Sequence, residues 1–311
     1  MNMLSKALLG ATIALGLATA SVHAGETRIV FVVHGQASDP FWSVVKNGVD
    51  AAAERMGVTA QYQAPATFDM VAMKQMIDSA IASEPDGLVV SIPDADALGP
   101  SIRDAVAAGI PVISMDSGEE VSKELGALLH MGINEYDSGL AAGKRMKKAG
   151  LKSGLCVNQE VGNVALDLRC QGFKDGLAGN SQVVAVSMDP TEIRNGVAAF
   201  LGQHPEVDAM LTVGAVAFDP TLAAIDEAQL TGKVQIGSFD LSPTLLQAIA
   251  DGRAMYAIDA QQYLTGYLPV VFLTLYKEYG MIPTSNVMTG PLFVTKDTAR
   301  QVIELSARGI R

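Results

Sequence analysis

Short apolar runs alternate with stretches at helical spacing along nearly the whole chain, and that alternation constrains the fold more than any other feature. Arg28–Val33 (RIVFVV), Val58–Gln63, Gly87–Ile92, Pro111–Met115 and Leu128–Met131 read as strands. Gly154–Val157, Val183–Ser187, Ala209–Val213, Val234–Phe239 and Met255–Asp259 continue the series. Between them, helical spacing covers Pro40–Met56, Met70–Ser83, Ala95–Ala108, Asn134–Ala149 and Val164–Ala178. Further helices are expected over Thr191–Gly202, Pro220–Gln229, Pro243–Ala250, Gln262–Tyr279 and Lys296–Ala307. Most of the strand runs are apolar throughout rather than at every second residue. Strands of that kind are buried on both faces, which helices achieve only over a parallel sheet. The expected class is therefore α/β.

A weak internal repeat divides this pattern into two. Asp86-Gly-Leu-Val-Val-Ser-Ile passes through a helix to Gly109-Ile-Pro-Val-Ile-Ser-Met-Asp116. Asp208-Ala-Met-Leu-Thr-Val-Gly passes through a helix to Gly232-Lys-Val-Gln-Ile-Gly-Ser-Phe-Asp240. Both are β-α-β units whose second strand ends in Asp, so two similar lobes are expected. No Pro-, Gly- or Ser-rich linker separates them, which implies several short crossings rather than one tether.

The first residues follow a different logic. Lys6 precedes an apolar run from Ala7 to Ala20, and the segment ends in Val22-His23-Ala24. That is the charged, apolar and small-residue order of a secretory signal peptide covering 1–24, with cleavage after Ala24. The run is short of the ~20 residues that a membrane span needs, and no later segment offers an uninterrupted one. A periplasmic protein, not integral to a membrane, is expected.

The remaining composition excludes more than it selects. A formal charge of −11 lacks the basic footprint of a nucleic-acid binder. No G-x-S-x-G, P-loop, G-x-G-x-x-G or H-E-x-x-H motif occurs, and His34, His130 and His204 are isolated from one another. Neither a catalytic residue, a cofactor nor a metal site is expected, so the chain is read as a non-enzyme.

Ligands of open α/β sheets bind beyond the carboxyl ends of strands. After the first strand stand His34, then Asp39, Phe41 and Trp42, the sole tryptophan. A carboxylate there accepts paired hydroxyl hydrogen bonds, and an aromatic face lies against the C–H side of a polyhydroxylated ligand. The other reading makes Asp39 a helix cap and the two rings core. Asp116, followed by Ser117, and Asp240 end equivalent strands, so facing lobes would aim both acids into one cleft. A lone strand-end Asp is otherwise a turn residue. Asn158 opens the loop before the helix that carries Arg169, itself a surface residue by default. Gln261 follows a strand where a crossing would fall, or else begins a helix. Cys156 and Cys170 either form a disulfide, closing a loop of about 15 residues, or remain two buried thiols.

The ordered series Asp39-Pro-Phe-Trp, GIPVISMD ending at Asp116, Arg169-Cys-Gln-Gly-Phe173, His204-Pro-Glu-Val-Asp208, Ile236-Gly-Ser-Phe-Asp240 and Gln262-Tyr-Leu-Thr-Gly-Tyr267 resembles the bacterial periplasmic sugar-binding proteins of the ribose- and galactose-binding type. These type I periplasmic binding proteins are solute receptors of ABC importers. The resemblance implies two doubly wound parallel-sheet lobes joined by three crossings, with the ligand cleft between them. Residues 25–132 with 261–287 would form the N-terminal lobe, and 133–260 with 288–311 the C-terminal lobe. Asp39, Phe41, Trp42 and Asp116 would line the first lobe's side, and Arg169 and Asp240 would reach from the second.

Departures from the ribose-type pattern retune the pocket. Asp39 replaces an Asn, Ser117 replaces an Arg, and Ala215-Val216 replaces an Asn-Asp pair. The Gln at the crossing falls on Ala260, with Gln261 beside it. The resemblance then implies a receptor for a monosaccharide other than ribose, or for a sugar alcohol. It would be monomeric and would deliver its ligand to an ABC transporter permease. A sensory receptor for a chemoreceptor or kinase shares the same pocket, and a carbohydrate-acting enzyme on this scaffold is a further alternative.

Overall fold

The computed structural model describes residues 27–35 and 39–311. The expected signal peptide and its cleavage after Ala24 lie outside the described residues. In chain order the first unit contains β1 (Arg28–Val32), α1 (Pro40–Met56), β2 (Thr59–Gln63), α2 (Met70–Ala82), β3 (Gly87–Val90), α3 (Ala95–Ala107), β4 (Val112–Met115), α4 (Glu119–Ser122) and β5 (Leu129–Gly132). The second contains α5 (Glu135–Lys148), β6 (Gly154–Asn158), α6 (Val164–Gly176), β7 (Ser181–Ala185), α7 (Pro190–Gln203), β8 (Ala209–Thr212), α8 (Phe218–Glu227), β9 (Gln235–Phe239), α9 (Pro243–Asp251) and β10 (Tyr256–Asp259). The chain then crosses back through α10 (Gln262–Tyr279) and β11 (Val287–Met288), and returns through β12 (Leu292–Val294) and α11 (Lys296–Ala307).

Two six-stranded sheets result, ordered β11-β5-β4-β3-β1-β2 and β12-β10-β9-β8-β6-β7. The orders correspond strand for strand, which is the structural form of the internal repeat: β3-α3-β4 and β8-α8-β9 occupy equivalent places. The first sheet is parallel throughout, whereas β12 runs antiparallel to β10. The repeat extends to the strand entrances. The Asp86 carboxylate accepts from the Arg28 N–H at 2.9 Å, and Asp208 accepts from the Ser153 N–H at 2.9 Å.

Burial on both faces accounts for the apolar strand runs. Ile29, Phe31 and Val33 join one core cluster while Val30 and Val32 join another, so successive residues of β1 serve opposite sides. Cys156 and its neighbours Leu155 and Val157 divide in the same way. Helix starts follow side-chain caps at Asp39, Asp69, Asp94, Asn134, Asn163, Asp189 and Ser242, which is why many of the expected boundaries lie close to the observed ones.

Some expectations are corrected. The expected strand Val183–Ser187 is found at Ser181–Ala185, an edge strand whose exposed positions weaken the pattern. The helix expected over Pro220–Gln229 begins earlier, after a 3-10 turn at Ala215–Ala217. The short elements α4, β11 and β12 carry too little periodicity to be read. Cys156 and Cys170 form a disulfide between β6 and α6.

Candidate functional site

The crossings set the carboxyl ends of both sheets against one cavity, lined in part by His34, Asp39, Asp116, Arg169 and Asp240. It holds about 320 Å³ of atom-free space, part of it open to solvent. Asp116 and Asp240 occupy equivalent positions one residue beyond β4 and β9. Both take left-handed backbone angles, φ 59° and 65°. Their N–H groups donate to the carbonyls of Met131 and Ile258, each at 2.8 Å. The identical local turn explains why each strand of the repeat ends in Asp, a residue that tolerates this conformation.

Arg169 projects from α6 between them and is only 3 % exposed. Its Nε donates to Glu135 Oε2 at 2.5 Å and its Nη2 to Oε1 at 3.1 Å. Nη1 donates to the Val213 carbonyl at 2.8 Å. The same guanidinium stands over the Phe239 ring, 4.5 Å from its centroid. Asp240 Oδ2 and Asp116 Oδ1 lie 3.8 and 3.9 Å from it, close enough for attraction but beyond hydrogen-bond length. Burial opposes the charge, but Glu135 and Asp240, followed by Asp116, outweigh it and hold Arg169 firmly protonated. Burial also pushes the Asp240 carboxyl well above the usual range, with Arg169 acting against the shift and Asp116 and Asp39 reinforcing it.

Asp39 is the helix cap of the second reading and also faces the cavity. Oδ1 accepts from the Phe41 N–H at 2.8 Å and caps α1, while the side chain lines the cavity. Burial, aided by the Glu160 and Asp116 carboxylates, pushes its pKa to about 7. Phe41 and Trp42 are likewise both core and lining, with ring centroids 5.0 Å apart in an edge-to-face arrangement. Gly35 makes room for them: a Cβ there would collide with the Trp42 indole.

His34 joins the two sides. Its Nδ1 lies 2.8 Å from Ser91 Oγ, in the first unit. Its Nε2 lies 3.4 Å from Asn163 Nδ2 and 3.6 Å from Glu160 Oε2, in the second.

Three expected residues sit outside the lining. Ser117 donates its hydroxyl to Asp116 Oδ2 at 3.0 Å, supporting that acid from behind. Asn158 accepts from the Glu160 N–H at 3.0 Å and donates to Asp167 Oδ1 at 2.9 Å, which shapes the loop. Gln261 takes a left-handed conformation at the start of α10 and donates to the Thr289 carbonyl, tying two crossings together.

Sequence reasoning missed Gln159 and Glu160, although both follow β6 directly and the strand-end rule points at them. It also missed Glu135, whose place beside Arg169 depends on how α5 and α6 pack. Among the described residues no cluster of His, Cys, Asp and Glu is arranged to hold a metal ion. No helix among them is long and apolar enough to cross a membrane.

Comparison with known proteins agrees with this geometry. The sequence model of a family described as periplasmic binding protein domain matches residues 29–278. A carbohydrate transporter from Acidothermus cellulolyticus 11B, solved in complex with myo-inositol, superposes with a TM-score of 0.88 at 35 % identity, covering 92 % of this chain and 100 % of that one. The ribose import binding protein of Salmonella typhimurium is 27 % identical over 81 % of this chain and 86 % of its own. The xylose/arabinose-binding protein of Sulfolobus acidocaldarius is 25 % identical over 86 % of this chain and 71 % of its own.

Proposed function

The chain belongs to the periplasmic binding protein family of the type I, sugar-binding kind, and from that premise we propose that it is the solute receptor of an ABC importer. It binds a monosaccharide or sugar alcohol between two lobes and delivers it to a membrane permease. We keep the expected lobe divisions at 132/133 and 260/261 and place the third one residue after the expected 287/288, because Met288 pairs with Gly132 of the first sheet; the lobes hinge at these three crossings. Export to the periplasm follows from the leader, removed after Ala24.

One observation carries this reading. Asp116 and Asp240 stand at equivalent strand ends of the two sheets, 8 % and 5 % exposed, with Arg169 between them in a shared cavity. Hydroxyl groups bridging these carboxylates would tie the lobes together through a small polar ligand. The Phe41 and Trp42 rings offer an apolar surface to the ligand's C–H face. The acids act as hydrogen-bond acceptors, not as proton-transfer catalysts. The three relatives support the ligand class, since each is named or solved for a sugar or cyclitol. Micromolar binding requires ~8 kcal/mol, or ~0.7 kcal/mol per heavy atom for a ligand of about a dozen. Burial of nearly every ligand hydroxyl against a satisfied partner meets that requirement.

The test is a thermal-shift screen of residues 25–311, unfolded and refolded without reductant to strip bound ligand. The panel holds pentoses, hexoses, linear polyols, inositols and amino acids. A true ligand at 100-fold excess over Kd adds ~2.7 kcal/mol and raises Tm by several degrees. A response limited to a few polyhydroxylated compounds supports the reading. A flat response to all of them overturns it.

A further inference from the structure

The cavity gathers more carboxyl groups than its own cations can pair. Asp39, Asp116, Glu160 and Asp240 line it, against Arg169 and His34. Arg169 is already committed, in a two-pronged pair with Glu135 and a bond to the Val213 carbonyl. Four carboxylates therefore share what remains of one guanidinium and one imidazole. Buried carboxylates are costly unless paired or protonated.

Two buried acceptors in the lining also lack a hydrogen-bond partner among the described residues: Asp240 Oδ1 and Gln159 Oε1. Both residues are more than nine-tenths buried. With its acids ionised, the site is thus short of donors as well as of positive charge. A hydroxyl brings one donor and further acceptors, whereas an ammonium brings three donors, no acceptor and a positive charge. A metal ion would meet the charge requirement, but no suitable ligand cluster exists among the described residues. An anionic ligand, or the carboxylate of an amino acid, would meet four acids and a guanidinium that Glu135 already occupies.

We propose that the site's preferred ligand class is an amino-substituted sugar or cyclitol, its ammonium held by Asp240 and Asp39 from opposite lobes. This rests on the polyol-receptor reading above and narrows it. The remaining hydroxyls would meet Asp116 and Gln159, and the ring would lie against Phe41 and Trp42. Burial and the neighbouring carboxylates raise the Asp39 and Asp240 carboxyls, and an ammonium held between them would lower both, so amine binding would release protons.

Matched pairs test it by titration calorimetry at pH 7 on the refolded chain: glucose with glucosamine, galactose with galactosamine, and myo-inositol with an aminodeoxy-inositol. In at least one pair the amine is expected to bind tenfold or more tightly than its neutral parent, and N-acetylation should abolish the gain. Asp240→Asn should reduce the amine's advantage about tenfold while changing the neutral parent less. Asp39→Asn, which keeps a capping side chain on α1, should act in the same direction if Asp240→Asn fails to fold. Neutral parents binding as tightly as their amines in every pair would overturn the amine assignment and leave the polyol reading standing. Failure of every compound in both series to bind would overturn the two together.

Discussion

Asp116 shows how a single residue connects backbone conformation to ligand chemistry. Its left-handed φ turns the chain at the end of β4, Ser117 holds one carboxylate oxygen, and the other is directed toward Arg169. Removing a buried charged contact of this kind costs about 2–5 kcal/mol of binding. Asp116→Ala is therefore expected to weaken the best ligand of the panel roughly 30-fold or more, read by calorimetry. Arg169→Ala should do more than this, because it leaves Glu135 buried and unpaired. That removal costs about 3–5 kcal/mol of folding stability, and the double variant Glu135→Leu/Arg169→Met should recover much of it in urea titrations. Asp39 predicts a pH dependence. Its carboxyl ordinarily titrates near 3.8 but in the folded chain does so at about 7, so the folded state holds the extra proton between those values. Its contribution to ligand-free stability is fully present below about pH 4 and is lost as pH rises toward 7. Asp39→Asn should flatten that part of the Tm–pH curve; an unchanged slope would count against the shift.

At the scale of elements, glycines decide how closely helices approach. A Cβ at Gly139 of α5 would strike the Arg169 carbonyl, and one at Gly172 of α6 would strike the Tyr136 carbonyl. The two helices therefore pack backbone to backbone, and this brings Glu135 to Arg169. The first lobe repeats the device, with Gly48 of α1 against the Tyr263 carbonyl and Gly266 of α10 against that of Val45. In each lobe, the helix that arrives through a crossing packs on the helix that follows the sheet's first strand in sequence, β1 or β6. Gly139→Ala is expected to destabilise by about 1–3 kcal/mol through overpacking, and to weaken binding by displacing Arg169. The corresponding change at Gly48 should cost stability with a smaller effect on binding. The Cys156–Cys170 disulfide fastens β6 to α6 beneath the same arginine. Replacing both cysteines with serine should lower stability by ~3 kcal/mol on the chain-entropy model, measured by denaturant unfolding.

Across the whole molecule, the two lobes touch at points well apart. Val164 donates its N–H to the Pro93 carbonyl at 3.1 Å near the cavity mouth. Elsewhere, Asn47 of α1 donates to the Gly309 carbonyl at 3.2 Å. Under the proposed function, such contacts would hold the lobes together when they hinge at the crossings. Asn47→Ala, which removes a contact between the lobes, is expected to shift the free protein toward an open form. Small-angle scattering should then show a larger radius of gyration without ligand, and affinity should fall several-fold. Unchanged values for both would exclude the Asn47–Gly309 contact from closure.

What the chain alone determined was the part of the structure that local chemistry dictates. Apolar runs such as RIVFVV marked strands buried on both faces, and caps such as Asp39 and Asn163 marked helix starts. The repeated strand ending in Asp pointed to Asp116 and Asp240 before any contact was known. Asp39, Phe41, Trp42 and Arg169 stood in segments whose order carries a family resemblance, and all of them line the cavity. The tertiary structure decided what depends on residues distant in sequence. Glu135 becomes Arg169's partner only because glycines let α5 and α6 meet. Gln261 turns toward Thr289 and away from the cavity because two crossings run side by side. The register that adds β11 and β12 to separate sheets arises from chain crossings that no local periodicity records. The gathering of acids is likewise a tertiary property: each is ordinary in sequence, and only the fold brings Asp39, Asp116, Glu160 and Asp240 to one buried cavity.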